Sequence, residues 1–235
     1  MMKNKYLLAF MLLLSAGVSA QELTITYTGT YNTQSPTLFA ESGLNEEMRS
    51  SLASAYKDVV FSSQLVYKDG ESEFRMLPFG EDQKVVFMGQ TLNLSSNNES
   101  LKQNYQYKNH GEGLVLEKTS VFGKNFIISD TIQSRPYTIY KNEVKEILGF
   151  ECIKAVSEDG KTTVWFTSHI PIPNEPYVCG LDGLILEYYG DQIISIASDI
   201  QNEVDYAVVR PEGKIMSKKD FDEMVKKRVD MLKRH

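Results

Sequence analysis

Between Glu22 and Tyr31 polar and apolar residues alternate: Leu23, Ile25, Tyr27 and Tyr31 fall on one face, and Thr24, Thr26, Thr28 and Thr30 on the other. A period of two in strand-forming residues predicts a half-buried β-strand. The period then changes. Leu44, Met48, Leu52 and Tyr56 recur every four residues, which predicts a helix over Asn45–Lys57, with Asn45 as N-cap and Glu46 and Glu47 in the first turn. Short strand signals follow at Val59–Lys68, Ser72–Leu77, Lys84–Met88, Asn104–Tyr107, Gly113–Lys118 and Phe126–Ser129, with Leu94–Glu99 as a polar loop. Asp69 and Gly70 mark a hairpin turn. A second hairpin joins Phe150–Val156 to Thr162–Thr167, and Pro171, Pro173 and Pro176 then forbid a central strand. Leu184–Tyr189, Gln192–Ala197 and Glu203–Val209 complete the strands.

The C-terminus returns to helical spacing. Ser217 and Asp220 form a capping box ahead of a stripe of Phe221, Met224, Val225, Val229 and Leu232. No repeat or linker divides residues 21–235, which read as one β-rich domain. About ten antiparallel strands with few helices predict a mainly β fold, an antiparallel half-barrel or sandwich with a C-terminal helix. This layout is similar to that of periplasmic lipoprotein carriers, a likeness of fold alone.

Residues 1–20 have the form of an export signal. Lys3 and Lys5 precede an apolar run from Tyr6 to Leu14, and Val18, Ser19 and Ala20 offer small residues for cleavage before Gln21. The run is too short to span a bilayer, and no cysteine near residue 20 invites acylation. The mature chain is expected to be exported and periplasmic without a transmembrane span, outer-membrane association being the open alternative.

A hydrophobic share of 42% with 24% charged residues excludes extensive disorder. The 25 basic residues stand against 31 acidic ones, a net charge of −6 that deepens to −8 when Lys3 and Lys5 leave with the leader. An acidic body argues against nucleic acid as a partner. The basic stretch 214–235 reads as the solvated face of the last helix. Cys152 and Cys179 are the only cysteines. In an oxidising compartment they read as one disulfide, worth roughly 3–4 kcal/mol.

Catalytic signatures are missing from the sequence. The three histidines, His110, His169 and His235, are dispersed, and no metal-ligand spacing, nucleophile elbow or phosphate-binding glycine loop is present. Neither cofactor nor catalytic residue is therefore assigned. His169 and Trp165 remain as candidate site residues. Carboxylates such as Glu46, Glu47, Asp220 and Asp222 belong to helix surfaces.

One segment is distinctive. Gly180, Leu181, Asp182, Gly183, Leu184 and Ile185 follow Cys179 directly, and upstream lie Gly149–Ala155 and the strand containing Trp165. The segment resembles the GLPGLI family, exported proteins of unknown function from Gram-negative bacteria. Five of the six motif residues match, Asp182 replaces the proline, and Glu175-Pro176 stands where the family often has Gly-Pro. The specific likeness covers about residues 148–189. The hexapeptide is expected to form a type II turn with Gly183 at positive φ, feeding a buried strand that carries Leu184, Ile185 and Leu186.

Three functions are consistent with these features. The first is a non-catalytic carrier of a hydrophobic ligand, a lipid or acyl chain. The second is an accessory protein of an outer-membrane complex, docking through a sheet edge or the C-terminal helix. The third is a hydrolase with an unrecognised site. Asp130-Thr131-Ile132 also resembles a bacterial O-glycosylation motif at Thr131.

Overall fold

The computed structural model describes residues 22–173, 175–177, 180–204 and 207–232. The expected leader lies outside the described residues. The chain forms β1 (Glu22–Tyr31), a 3-10 turn (Ala40–Ser42), α1 (Glu46–Ala55), β2 (Val60–Lys68), β3 (Glu71–Met76), β4 (Lys84–Phe87) and β5 (Gln90–Asn93). A second 3-10 turn (Leu94–Asn97) leads into α2 (Asn98–Gln103), β6 (Tyr105–Asn109), β7 (Leu114–Val121) and β8 (Lys124–Thr131). Then come β9 (Tyr137–Ile147), β10 (Phe150–Ser157), β11 (Thr163–Thr167), β12 (Leu184–Tyr189), β13 (Ile193–Gln201), β14 (Ile215–Ser217) and α3 (Lys218–Leu232).

Twelve strands make one sheet in the order β14-β8-β7-β6-β3-β2-β1-β13-β12-β11-β10-β9, and β4 and β5 form a separate hairpin. Neighbours are antiparallel except β14, which runs parallel to β8. The sheet is open, with β14 and β9 at its edges. The fold is thus mainly β, a single open sheet rather than two stacked ones.

The alternation in β1 sets the two faces. Leu23, Ile25 and Tyr27 are almost fully buried and lie opposite Tyr67, Leu65 and Ser63 of β2. The β2–β3 hairpin turns through Asp69 (φ 50°) and Gly70 (φ 84°), two left-handed residues of the kind a two-residue hairpin needs.

Each face is closed by the chain's own connections. On the front, the strap 168–183 leaves β11 and returns as β12, packing Ile170 and Ile172 with Leu23, Ile25, Tyr27 and Leu65. On the back, the connection from β13 to β14 brings Val208 against Tyr107, Leu116 and Ile127. Thr24 Oγ1 donates to the Glu203 carbonyl at 2.7 Å, and Arg210 pairs with Glu112 at 3.1 Å. The strand expected over Glu203–Val209 is therefore a crossover in its described residues: a segment spanning a sheet face bonds to side chains rather than in a ladder.

At one end of the sheet Val59, Val85 and Leu94 pack with Tyr31, Tyr56 and Phe79, tying α1 and the β4–β5 hairpin to the body. The polar loop expected at Leu94–Glu99 is the 3-10 turn and the start of α2. Half of the expected α3 capping box forms: the Asp220 N–H donates to Ser217 Oγ at 3.1 Å, but Asp220 Oδ2 accepts from the Ser217 hydroxyl, at 2.7 Å, in place of the Ser217 backbone N–H. Phe221 packs edge-on against Phe126 of β8, with ring centroids 5.4 Å apart.

Ile25 is fully buried at the centre of the front face, whereas Thr28 faces outward. Ile25→Ala is expected to cost about 2–5 kcal/mol in chemical denaturation. Thr28→Ala should stay within about 0.5 kcal/mol of the parent.

Candidate functional site

The strap brings Glu175 into a buried cluster with Lys108, His110 and Ser72. β12 pairs with β13 only over Glu187–Tyr189. Beside Leu184 and Ile185 the strap takes the neighbouring place: Glu175 makes a parallel bridge with Leu184, and the Ile185 N–H donates to the Glu175 carbonyl at 3.0 Å. The Leu184 N–H donates to the Ile170 carbonyl at 3.1 Å. This pins the backbone at Glu175 and aims its side chain across the front face.

The Glu175 carboxylate has no exposure. Lys108 Nζ of β6 donates to Oε2 at 3.0 Å, His110 Nε2 lies 3.2 Å from Oε1, and the Ser72 hydroxyl of β3 donates to the same Oε1. Burial pushes the Glu175 carboxyl upward, but the Lys108 charge and the hydrogen bonds from His110 and Ser72 outweigh it and hold the group below the usual carboxylate range. Tyr67 packs edge-on against the His110 ring with centroids 5.6 Å apart.

Ser, His and Glu in one cluster invite comparison with a catalytic triad, and the geometry rejects it. A triad places its carboxylate on one ring nitrogen and its serine on the other. Here Ser72 Oγ lies 3.4 Å from His110 Nε2 and Glu175 meets that same nitrogen, while Nδ1 is buried without a partner. Ser72 is only 1% exposed, closed to a substrate. The cluster acts as a clamp on the strap.

Two residues on, Tyr177 anchors the strap a second time. Its hydroxyl donates to Ser195 Oγ at 2.8 Å and lies 3.2 Å from Ser63 Oγ. Its ring stacks on Tyr188 at 4.6 Å and meets Phe74 edge-on at 4.8 Å. Tyr27 closes the group by donating to the Ile185 carbonyl at 2.9 Å.

The hexapeptide ends this strap. Leu181, Leu184 and Ile185 are buried, as is Leu186, while Asp182 is exposed. Gly183 does not take the positive φ expected of a type II turn. Its requirement is closeness: a Cβ there would lie 2.3 Å from the Thr167 carbonyl oxygen. Gly180 has the left-handed backbone, at φ 114°, and a Cβ on it would lie 2.3 Å from the Arg135 carbonyl oxygen. Both glycines let backbone segments touch.

The other sequence candidates are scattered. Cys152 is a buried free thiol in the cluster of Ile147, Ile170 and Leu184, and burial pushes it up to about 11. Cys179 lies outside the described residues, so the expected disulfide is not formed among the described atoms. His169 is exposed at the start of the strap, its Nδ1 3.2 Å from Thr167 Oγ1, away from the clamp. Trp165 lies under Lys145, whose Nζ is 4.3 Å from the ring centroid and is bonded to Glu187. Thr131 is exposed at the end of β8. Among the described residues no three His, Cys, Asp or Glu side chains converge as metal ligands. No described helix is long and apolar enough to cross a membrane.

Sequence reasoning missed the edge strand β9. Its 11 residues pair with β10 on one side only, and three residues, Lys141–Glu143, bulge out where Ile153 and Lys154 meet Val144 and Tyr140. Ile139 (44% exposed) and Val144 (51%) share the face of Ala155 and Ile153, so the buried front cluster continues outward into an uncovered apolar patch. Lys141 and Glu146 are exposed along the same strand, while Glu143 pairs with Lys154 of the opposite face at 2.9 Å.

An open antiparallel sheet closed on both faces by its own connections thus defines the class of fold. No family model matches the chain, and no curated protein matches it. Among solved structures the chain is similar to PNGF-II in its C2 crystal form, with 14% identity over 87% of this chain and 32% of that one, at a TM-score of 0.53. The P21 form gives 13% identity over 87% and 33%, at the same TM-score. The chain spans about a third of the length of these solved chains, and identity at this level shows a shared fold alone.

Glu175→Gln would leave the Lys108 ammonium buried without its counter-charge, and should cost about 3–5 kcal/mol. Replacing both partners, Glu175→Leu with Lys108→Met, should cost less than the single change. Because the folded carboxyl is held below the ordinary glutamate value of about 4.3, its contribution is complete above that pH and disappears as pH falls through the lower folded value. Denaturation between pH 7 and 3 should therefore show parent and Glu175→Gln converging in acid.

Proposed function

We propose that this chain is an exported, non-catalytic envelope protein of the GLPGLI type that docks onto a partner protein through its β9 edge. The observation that carries the reading is the exposed continuation of the front core at Ile139 and Val144, with the exposed charges of Lys141 and Glu146 beside it on the strand. Isolated surface apolar residues are ordinary, but a patch continuous with a buried cluster, on a strand with unpaired backbone, is a binding surface. The occupant is a segment of another envelope protein that lays apolar side chains over Ile139 and Val144. In PNGF-II the matching fold belongs to a chain about three times as long, which is in keeping with a fold that works beside other domains. The carrier reading has less support, because Ile170, Ile172 and Tyr177 of the strap fill the space over the sheet that an acyl chain would take.

A photo-crosslinking residue in place of Ile139, introduced in the native host, should give one discrete adduct heavier than the chain, and Val144→Lys in the same chain should abolish it. The same probe at Val86, 63% exposed on the separate hairpin, should give none. No adduct at Ile139, or an equal one at Val86, overturns the docking reading. An adduct of twice the chain's mass replaces the partner with a second copy. In the exported protein, Cys152 and Cys179 are proposed to pair, which an intact mass two hydrogens lighter than the thiol form would report.

A further inference from the structure

The ladder between β9 and β10 fixes which backbone groups of the edge strand point outward. In an antiparallel pair, opposed residues that exchange hydrogen bonds alternate with opposed residues that do not. The phase is set at both ends of β10. The hairpin turns through Leu148 (φ 51°) and Gly149 (φ 81°), a two-residue loop, so Ile147 and Phe150 close it as a bonded pair. At the far end the Glu158 N–H donates to the Pro136 carbonyl at 3.4 Å, whereas the Ser157 N–H points the other way, to the Thr162 carbonyl at 2.9 Å. Counted from either end, Phe150, Cys152, Lys154 and Val156 bond to β9, and Glu151, Ile153 and Ala155 do not. Their partners Glu146, Val144 and Ile139 therefore turn their N–H and C=O groups to the open edge.

The same three residues carry their side chains on the front face. Ile139 and Val144 oppose Ala155 and Ile153, two residues apart on β10, so they adjoin on that face although the bulge separates them in sequence. Glu146 lies directly opposite Glu151, both are exposed, and no described lysine or arginine pairs with either. Like charges directly opposed across a ladder are unfavourable, and a cation beside them relieves the repulsion. We infer that the partner docks by adding a strand antiparallel to Val144–Ile147, with a lysine or arginine beside Glu146 and Glu151 and, two residues further toward its C-terminus, an apolar residue beside Val144. This rests on the docking reading and states how the partner engages the edge. Backbone bonds to Val144 and Glu146 hold the added strand, and side chains at alternate positions select it. The bulge at Lys141–Glu143 ends the regular pairing, so the segment that fits is short.

Amide hydrogen exchange of the purified protein, followed by NMR, tests the edge without any partner: the amides of Val144 and Glu146 should exchange about tenfold or more faster than that of Lys145, which bonds to β10. The partner is tested in the native host with the photo-crosslinking residue at Ile139. Val144→Pro removes one outward N–H and no bond to β10, and should cut the adduct about tenfold. Val144→Ile, which keeps that N–H, should retain the adduct. Glu146→Lys, which repels the basic residue, should also cut it about tenfold. Circular dichroism reports whether each variant is folded, and if Val144→Pro is not, Glu146→Lys and the amide exchange decide. The inference is overturned, with the docking reading intact, if the parent adduct forms and folded Val144→Pro or Glu146→Lys gives it in equal yield, or if Val144 and Glu146 exchange as slowly as Lys145. No adduct in the parent overturns the docking reading itself.

Discussion

Glu175 is carried over the sheet on a proline-rich connection with little regular hydrogen bonding of its own, and its carboxylate ends with no exposure against Lys108, His110 and Ser72. Taking both charges out of water costs several kcal/mol per ion, and their attraction recovers that only when the geometry is good and the remaining lone pairs are satisfied. Both conditions are met, with three donors on two oxygens. The pair need not add net stability over an apolar packing of equal volume. What it adds is position: the strap lies where Glu175 can reach Lys108, and any displacement would expose an unpaired charge to a dry interior.

Several features of the sheet follow from that position. With the strap's backbone beside Leu184 and Ile185, β12 and β13 part below Glu187, and the apolar side chains of Leu184, Leu186, Ile170 and Ile172 fill the space between them. Leu186 is the extra residue of a bulge against β11, and Ser198 is the extra residue of another against β1, its hydroxyl donating to the Thr26 carbonyl at 3.1 Å. Bulges bend strands and sharpen twist, which lets a twelve-stranded sheet accommodate the strap without breaking its ladder. The close approaches at Gly180 and Gly183 belong to the same adjustment, which is why the hexapeptide needs glycine where it has it. Asp182, between them in sequence, is exposed and meets no such demand.

Much of this architecture was legible in the sequence, and the exceptions share a cause. The alternation of β1, the Asp69-Gly70 hairpin, the Asn45 cap and the Ser217 cap are local signals, and each is where the residues place it. β9 was not legible because an edge strand exposed on both faces has no alternation to show, and its bulge shifts the register after Tyr140. Glu203–Val209 has strand-like composition, but of its described residues Val208 packs on the back of the sheet while Val209 is exposed. The clamp was invisible for another reason. Lys108 and Ser72 occupy positions in β6 and β3 that read as outward-facing polar alternates, and only the strap, contributed from beyond residue 167, turns that face inward. The one hint was Glu175 itself, a charged residue between Pro173 and Pro176 in a connection whose Ile170, Ile172 and Tyr177 are apolar.

The two edges of the sheet are treated differently, and the contrast bears on where a partner can act. At one end β14 is three residues long, pairs in parallel with β8 and passes directly into α3, whose Phe221 covers the neighbouring Phe126. A short strand followed by a covering helix leaves little backbone for another chain to join. At the other end β9 runs for 11 residues, with no further strand beyond it among the described residues. Its bulge and its lysines divide the edge into two short stretches, which discourages indiscriminate pairing. They do not cover Ile139 and Val144, which stay on the face continuous with the core. An edge protected only against aggregation would place charge at these positions too. On the proposed docking reading, the charges of Lys141 and Glu146 beside the patch would reject partners that its apolar centre would otherwise accept.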